Sequence, residues 1–178
     1  MRPSGSAGYT LLEMMTVVSL LAILTALAAS SLEPIRARVA TRQGAELMEQ
    51  ALLAARQRSL ASGRCHRVEL LDGAGAPTPA GTPAEGLRLR RWSHAGCENP
   101  SPTAADFDQA ERFSLPHGVR ARLLSPSDID WLPNGRPLLG PTARVQLELS
   151  YGANQLWVEA MPQGVICVKD AAAAGGCP

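Results

Sequence analysis

Hydrophobic and polar positions change rhythm along this chain, and each change marks an element. From Met14 to Leu32 almost every residue is apolar or small. As a helix, Tyr9 to Leu32 would rise about 36 Å, enough to cross the ~30 Å hydrocarbon core of a bilayer. Pro34 then removes one backbone donor and is expected to kink or loosen the helix. Arg36, Arg38 and Arg42 follow where the helix would leave the membrane, with Arg36 and Arg38 placed to snorkel to its surface. Next, Leu47, Met48, Ala51, Leu52, Ala55 and Ser59 or Leu60 recur near helical spacing, while Glu46, Glu49, Gln50, Arg56 and Arg58 occupy other faces. The pattern predicts one helix over about 9–62, transmembrane over 9–32 and amphipathic over 35–62. Gly63 is its expected stop.

After Gly63 the period switches from near 3.6 to 2. Arg64 to Leu71 and Gly86 to Trp92 read as strands, and in the second Leu87 and Leu89 alternate with Arg88 and Arg90. Between them, Gly73 to Gly86 is rich in Gly, Ala and Pro and reads as a flexible surface loop. A polar loop, Gly96 to Asp106, precedes Phe113 to Leu115. Val119, Ala121 and Leu123 then alternate with Arg120 and Arg122. The best strand signals come last: Val145 to Tyr151, Asn154 to Glu159 and Val165 to Val168, joined by short turns. They predict an antiparallel meander. The fold class is α+β, with the β domain over 63–178.

The length of 178 residues leaves room for one domain with a real core beside the long helix. A net charge of +1 with interspersed signs points to no nucleic-acid or anionic-lipid field. Cys65, Cys97, Cys167 and Cys177 are even in number and allow three disulfide pairings. Cys65 with Cys97 and Cys167 with Cys177 is preferred, because each joins a candidate strand to a nearby loop or tail.

Glu13 is the conspicuous residue. An ionised group near the centre of a membrane helix costs on the order of 3 kcal/mol, somewhat less toward an end, so its presence usually marks function. It lies one turn from Tyr9, on the same helix face. Gly8-Tyr9-Thr10-Leu11-Leu12-Glu13 closely resembles the processing site of type IV prepilins and type II secretion pseudopilins. The resemblance implies a leader over 1–8, short and carrying only Arg2 as a base, cut after Gly8 by the prepilin peptidase. Tyr9 would become the N-methylated first residue, in place of the commoner Phe. Glu13 would meet the N-terminal amine of a neighbouring subunit, so Tyr9 and Glu13 are the assembly residues. Two rivals exist. An ordinary signal peptide would use Ala26-Leu27-Ala28 as its cleavage pattern, but the apolar run exceeds a normal h-region and contains Glu13. A plain anchor explains the length but not Gly8 and Glu13 together.

Asp130-Trp131-Leu132-Pro133-Asn134-Gly135-Arg136-Pro137 resembles the aromatic-x-Pro-x-Gly-Arg segment of the GspH/FimT-like branch of minor pilins and pseudopilins. That branch implies the type IV pilin-like fold, a long N-terminal helix whose second half packs on an antiparallel β-sandwich. It also implies a minor pilin in the inner membrane, single-pass with a periplasmic C-terminal domain, that later sits in a pilus or pseudopilus, at its tip. Expected partners are other minor pilins or pseudopilins and the major pilin, in a subunit that primes or caps the filament. The closest alternative is the H-type minor pseudopilin of a type II secretion system.

No catalytic constellation is present, so no enzyme is expected: there is no G-x-S-x-G, Walker loop or H-E-x-x-H. Cys65, His66, His94 and Cys97 look briefly like a zinc set. Neighbours on a strand point to opposite faces, however, so Cys65 and His66 cannot share an ion, and a disulfide with two surface histidines is simpler. Asp128 and Asp130 fall short of a calcium shell. No metal or cofactor is expected. Arg88, Arg90 and Arg91 on one strand, with Arg120 and Arg122 on another, would make a DNA-binding stripe if those strands are neighbours. Lys169 is the lone base in the tail after Val168, which lacks the Arg-rich end associated with DNA-uptake pilins. DNA is therefore not an expected partner.

Overall fold

The computed structural model describes residues 9–94, 96–97, 103–125, 129–138 and 144–170. These form two compact units, one ending at Arg36 and one beginning at Ala37. In chain order the elements are α1 (Leu11–Ser62), β1 (His66–Leu71), β2 (Gly86–Trp92), β3 (Phe107–Ser114), β4 (Arg120–Ser125), β5 (Ile129–Trp131), β6 (Val145–Tyr151), β7 (Asn154–Ala160) and β8 (Ile166–Asp170).

Helix α1 contains Pro34 without an interruption in its helical backbone. It ends at Gly63, whose φ of 64° is left-handed and whose amide still donates to the Ser59 carbonyl at 3.0 Å. A residue without a side chain enters that conformation at no steric cost, so the chain can turn into β1.

In the second unit, Ala45, Met48, Ala51, Leu52, Ala55 and Ser59 are fully buried along one face of α1. Their spacing of three and four residues is that of a single stripe. Ser59 turns inward and Leu60 outward, which settles the alternative the periodicity left open. Leu47 packs on the rim of the core. Burying a side chain such as Leu52 contributes about 1.5–3 kcal/mol.

The stripe packs against two antiparallel four-stranded sheets. One has the order β3-β2-β1-β5 and the other β4-β6-β7-β8. Val68, Leu87, Leu89 and Ile129 from the first meet Ala121, Leu147, Leu149 and Val158 from the second in one core with the helix. The meander β6-β7-β8 is present, with β4 added beside β6.

Strand β1 is buried on both faces. Its Val68 and Leu70 join the main core. Behind it, Cys65, Trp92 and Cys97 form a second small core with Phe107 and Leu132 against them.

Two expectations are corrected. The short apolar segment Phe113 to Leu115 marks only the end of a longer strand than its pattern shows, because β3 runs over Phe107–Ser114 and pairs with β2 along its length. As an edge strand it exposes Asp108, Glu111 and Arg112, so no apolar alternation announces it, and charge there discourages edge-to-edge pairing. Gly73 to Gly86 is tied down by single bridges, Leu71 to Pro77 and Ala84 to Ala121, the second reaching the other sheet. Backbone hydrogen bonds do this work, and composition does not reveal them.

Candidate functional site

The candidate site is the first turn of α1. Thr10 caps it: its carbonyl accepts from the amides of Glu13 and Met14 at 3.1 and 3.2 Å, and its Oγ1 accepts from Glu13 N at 3.3 Å. The spacing Thr10-x-x-Glu13 is that of a capping box, a signal carried by the sequence itself. Glu13 therefore stands in the first turn, where the positive end of the helix dipole favours an anion. Its carboxylate has no hydrogen-bond or ionic partner among the described residues. Tyr9 is 79 % exposed. Gly8 and the rest of the leader lie outside the described residues.

Around this turn the first unit shows no polar face. Leu11, Leu12, Met15, Val18, Leu20 and Ile23 are all exposed. A helix that is apolar all round requires lipid or other helices. Three of its described hydroxyls are satisfied internally: Thr16, Ser19 and Thr25 donate to the carbonyls of Glu13, Met15 and Ala22. Among the described residues no helix is long and apolar enough to cross a membrane. The side chains of residues 27–31, which continue the apolar run in the sequence, lie outside that description, as does the alternative cleavage pattern at Leu27-Ala28.

The Trp131-to-Arg136 segment closes the other end of α1. Trp131 is fully buried at the end of β5, and the Gly135 amide donates to Leu132 O at 2.9 Å to form the turn. A Cβ on Gly135 would lie 3.0 Å from Leu60, and one on Gly164 would lie 2.8 Å from Gly135 O. Arg56 Nη1 donates to Gly164 O at 2.9 Å. Two glycine turns thus stack on the last turns of the helix. In this chain the segment packs on the end of α1.

A family model described as the prokaryotic N-terminal methylation motif matches residues 3–29. No curated protein matches the chain. Two solved structures of the type IV minor pilin FimU of Pseudomonas aeruginosa (strain PAO1), in two crystal forms, resemble it. The P21 form has a TM-score of 0.53 at 14 % identity, covering 74 % of this chain and 90 % of that one. The P65 form gives 0.49 at 14 % identity, over 72 % and 91 %. The fold is pilin-like. The chain carries the methylation motif at its start and the pilin fold over its helix and sheets.

In the domain of this pilin-like fold, the cysteines act as staples. Cys65 and Cys97 are disulfide-bonded, with Cα atoms 5.8 Å apart. Cys167 is also disulfide-bonded, and Cys177 lies outside the described residues. His66 is not a surface histidine: it is 3 % exposed, and Nδ1 lies 3.2 Å from Arg64 O. Burial holds its pKa below the usual value, reinforced by Arg58 and Arg91 and opposed by the Arg64 carbonyl and Asp108. Among the described residues no cluster of three or more His, Cys, Asp or Glu is placed to hold a metal. Asp128 lies outside the described residues, and Asp130 is committed to Arg67.

The arginine stripe does not form among the described residues. β2 and β4 belong to different sheets, so Arg88, Arg90 and Arg91 are not beside Arg120 and Arg122. Each is held by a carboxylate: Arg88 by Glu69 at 2.6 Å, Arg90 by Glu69 at 3.5 Å, Arg91 by Asp108 at 2.7 Å, Arg120 by Glu85 at 2.7 Å, and Arg122 by Glu148. The hydrogen bond from Arg91 holds the Asp108 carboxyl below the usual carboxylate range. At Glu159, burial works to raise the pKa, but hydrogen bonds from Lys169 and Gln146 outweigh it and lower it. Cross-strand pairing of this kind commits these five arginines to carboxylates and leaves little of their charge for a nucleic-acid backbone.

Proposed function

We propose that this chain is a minor pilin, a structural subunit without catalytic activity. It is held in the inner membrane by residues 9–32 with its β domain in the periplasm. Prepilin peptidase removes residues 1–8 after Gly8 and methylates Tyr9. The subunit then co-assembles through α1 with other minor pilins and the major pilin, and primes or caps a type IV pilus.

The observation that carries this reading is Glu13, a carboxylate with no partner among the described residues, in the first turn of a helix whose large apolar side chains from Leu11 to Leu24 are exposed. In lipid a lone carboxylate is costly, and a neighbour's N-terminal amine supplies the counter-charge. Because Tyr9 and Glu13 share a face one turn apart, that pairing fixes the axial register between neighbouring helices. The likeness in fold to a type IV minor pilin fits this reading, with the H-type pseudopilin of a secretion machine as its alternative. DNA uptake draws no support from arginines already paired.

The test is Glu13→Ala. Membrane insertion stays intact, and recovery of the variant in sheared filaments falls at least about tenfold, as expected for losing more than 1.4 kcal/mol of pairing. Recovery at the parent level would defeat the proposed pairing.

A further inference from the structure

We propose that the cleft between the Asp72–Gly75 turn and the Leu115–Arg120 turn binds a phosphate-type oxyanion, with Arg112 as the principal ligand and His117 beside it. The cleft has a volume of about 630 Å³ and lies entirely within the second unit. Two of its lining residues, Val119 and Pro116, lie close to Gly44 of α1.

The charges around it are unevenly committed. Asp72 Oδ1 accepts from the amides of Ala74 and Ala76, at 2.9 and 2.8 Å. Glu85 Oε1 pairs with Arg120 at 2.7 Å. Glu85 is thus paired and one oxygen of Asp72 is capped by amides, whereas Arg112 has no carboxylate partner among the described residues. A planar guanidinium fork without a partner is matched to a tetrahedral oxyanion.

The backbone is shaped to these groups. A Cβ on Gly75 would lie 3.3 Å from Arg112 Nη1, so a side chain there would crowd the guanidinium. A Cβ on Gly73 would lie 2.7 Å from Glu85 Oε2, so a side chain there would displace the partner of Arg120. The glycines hold both walls in place, and the volume exceeds what a single phosphate needs. Inorganic phosphate and a phospholipid headgroup present the same chemistry. A lipid source rests on the membrane-anchored reading, whereas binding of free phosphate does not.

The experiment is calorimetric titration of inorganic phosphate into the full chain in neutral detergent micelles. The expected result is one saturable site, weakened about tenfold or more in Arg112→Gln through loss of a charged hydrogen-bond donor. Glu85→Gln, which releases Arg120, tightens it. Arg112 is exposed on an edge strand, so its substitution leaves the core untouched. Doping the micelles with phosphatidylglycerol, but not phosphatidylcholine, displaces phosphate if the headgroup is the ligand; no displacement assigns the site to a soluble anion. Absence of saturable phosphate binding, or parent-like binding by Arg112→Gln, overturns the site. Failure of the membrane reading would appear instead as a mature N-terminus other than Tyr9, with phosphate binding unchanged.

Discussion

Arg67 and Asp130 face each other across β1 and β5 and join through two parallel hydrogen bonds, Nε to Oδ1 at 2.8 Å and Nη2 to Oδ2 at 2.6 Å. Both side chains are almost fully buried. Trp92 Nε1 donates to the same Oδ1 at 3.1 Å, and the Arg67 guanidinium lies 5.0 Å from the Trp92 ring. This pair places the Cys65–Cys97 staple, the small second core and the start of the Trp131 turn in one cluster. Removing one member of a buried pair strands the other's charge. Asp130→Ala should therefore destabilise the domain by about 3 kcal/mol, read from the urea midpoint followed by tryptophan fluorescence.

A second prediction concerns the turn that meets the helix end. Gly135 has a φ of 73° and Leu60 carbons at 3.0 Å from its would-be Cβ. Valine there meets both a backbone conformation that branched side chains resist and a packed neighbour. Gly135→Val should cost about 2 kcal/mol or more, visible as a lower unfolding temperature. An unchanged midpoint would show that the motif does not dock the helix.

His66 gives the domain a pH dependence of definite sign. Burial first, then the positive charges of Arg58 and Arg91, favour its neutral form in the fold. The unfolded chain takes up a proton near pH 6.5, and the folded chain does so only at lower pH. Stability is therefore complete above about pH 6.5 and declines as pH falls from there toward the folded value. The urea midpoint should drop between pH 7 and 5, and His66→Gln should flatten that part of the profile.

Much of the architecture was legible because burial imposes period. The helical stripe Met48, Ala51, Leu52, Ala55 and the alternation Val145, Leu147, Leu149 each face one core and read directly from the chain. Strand β3 did not, because Asp108, Glu111 and Arg112 lie on an exposed edge where no face must be apolar. The joining of Ala84 to Ala121 was hidden for a different reason, since main-chain bonds leave no side-chain signature. Paired charges were the hardest: Arg88 and Arg122 look like a free basic surface until cross-strand register puts Glu69 and Glu148 opposite them. At the candidate site, Tyr9 and Glu13 were visible by spacing, and Thr10 became meaningful once its hydroxyl was seen on the Glu13 amide.

The most direct test of the central claim is the mass of the N-terminal peptide of the mature protein, purified from its own membranes. The account predicts a chain beginning at Tyr9 and one methyl group heavier than the unmodified sequence. A chain that retains residues 1–8, or one that begins at Ala29, would contradict it.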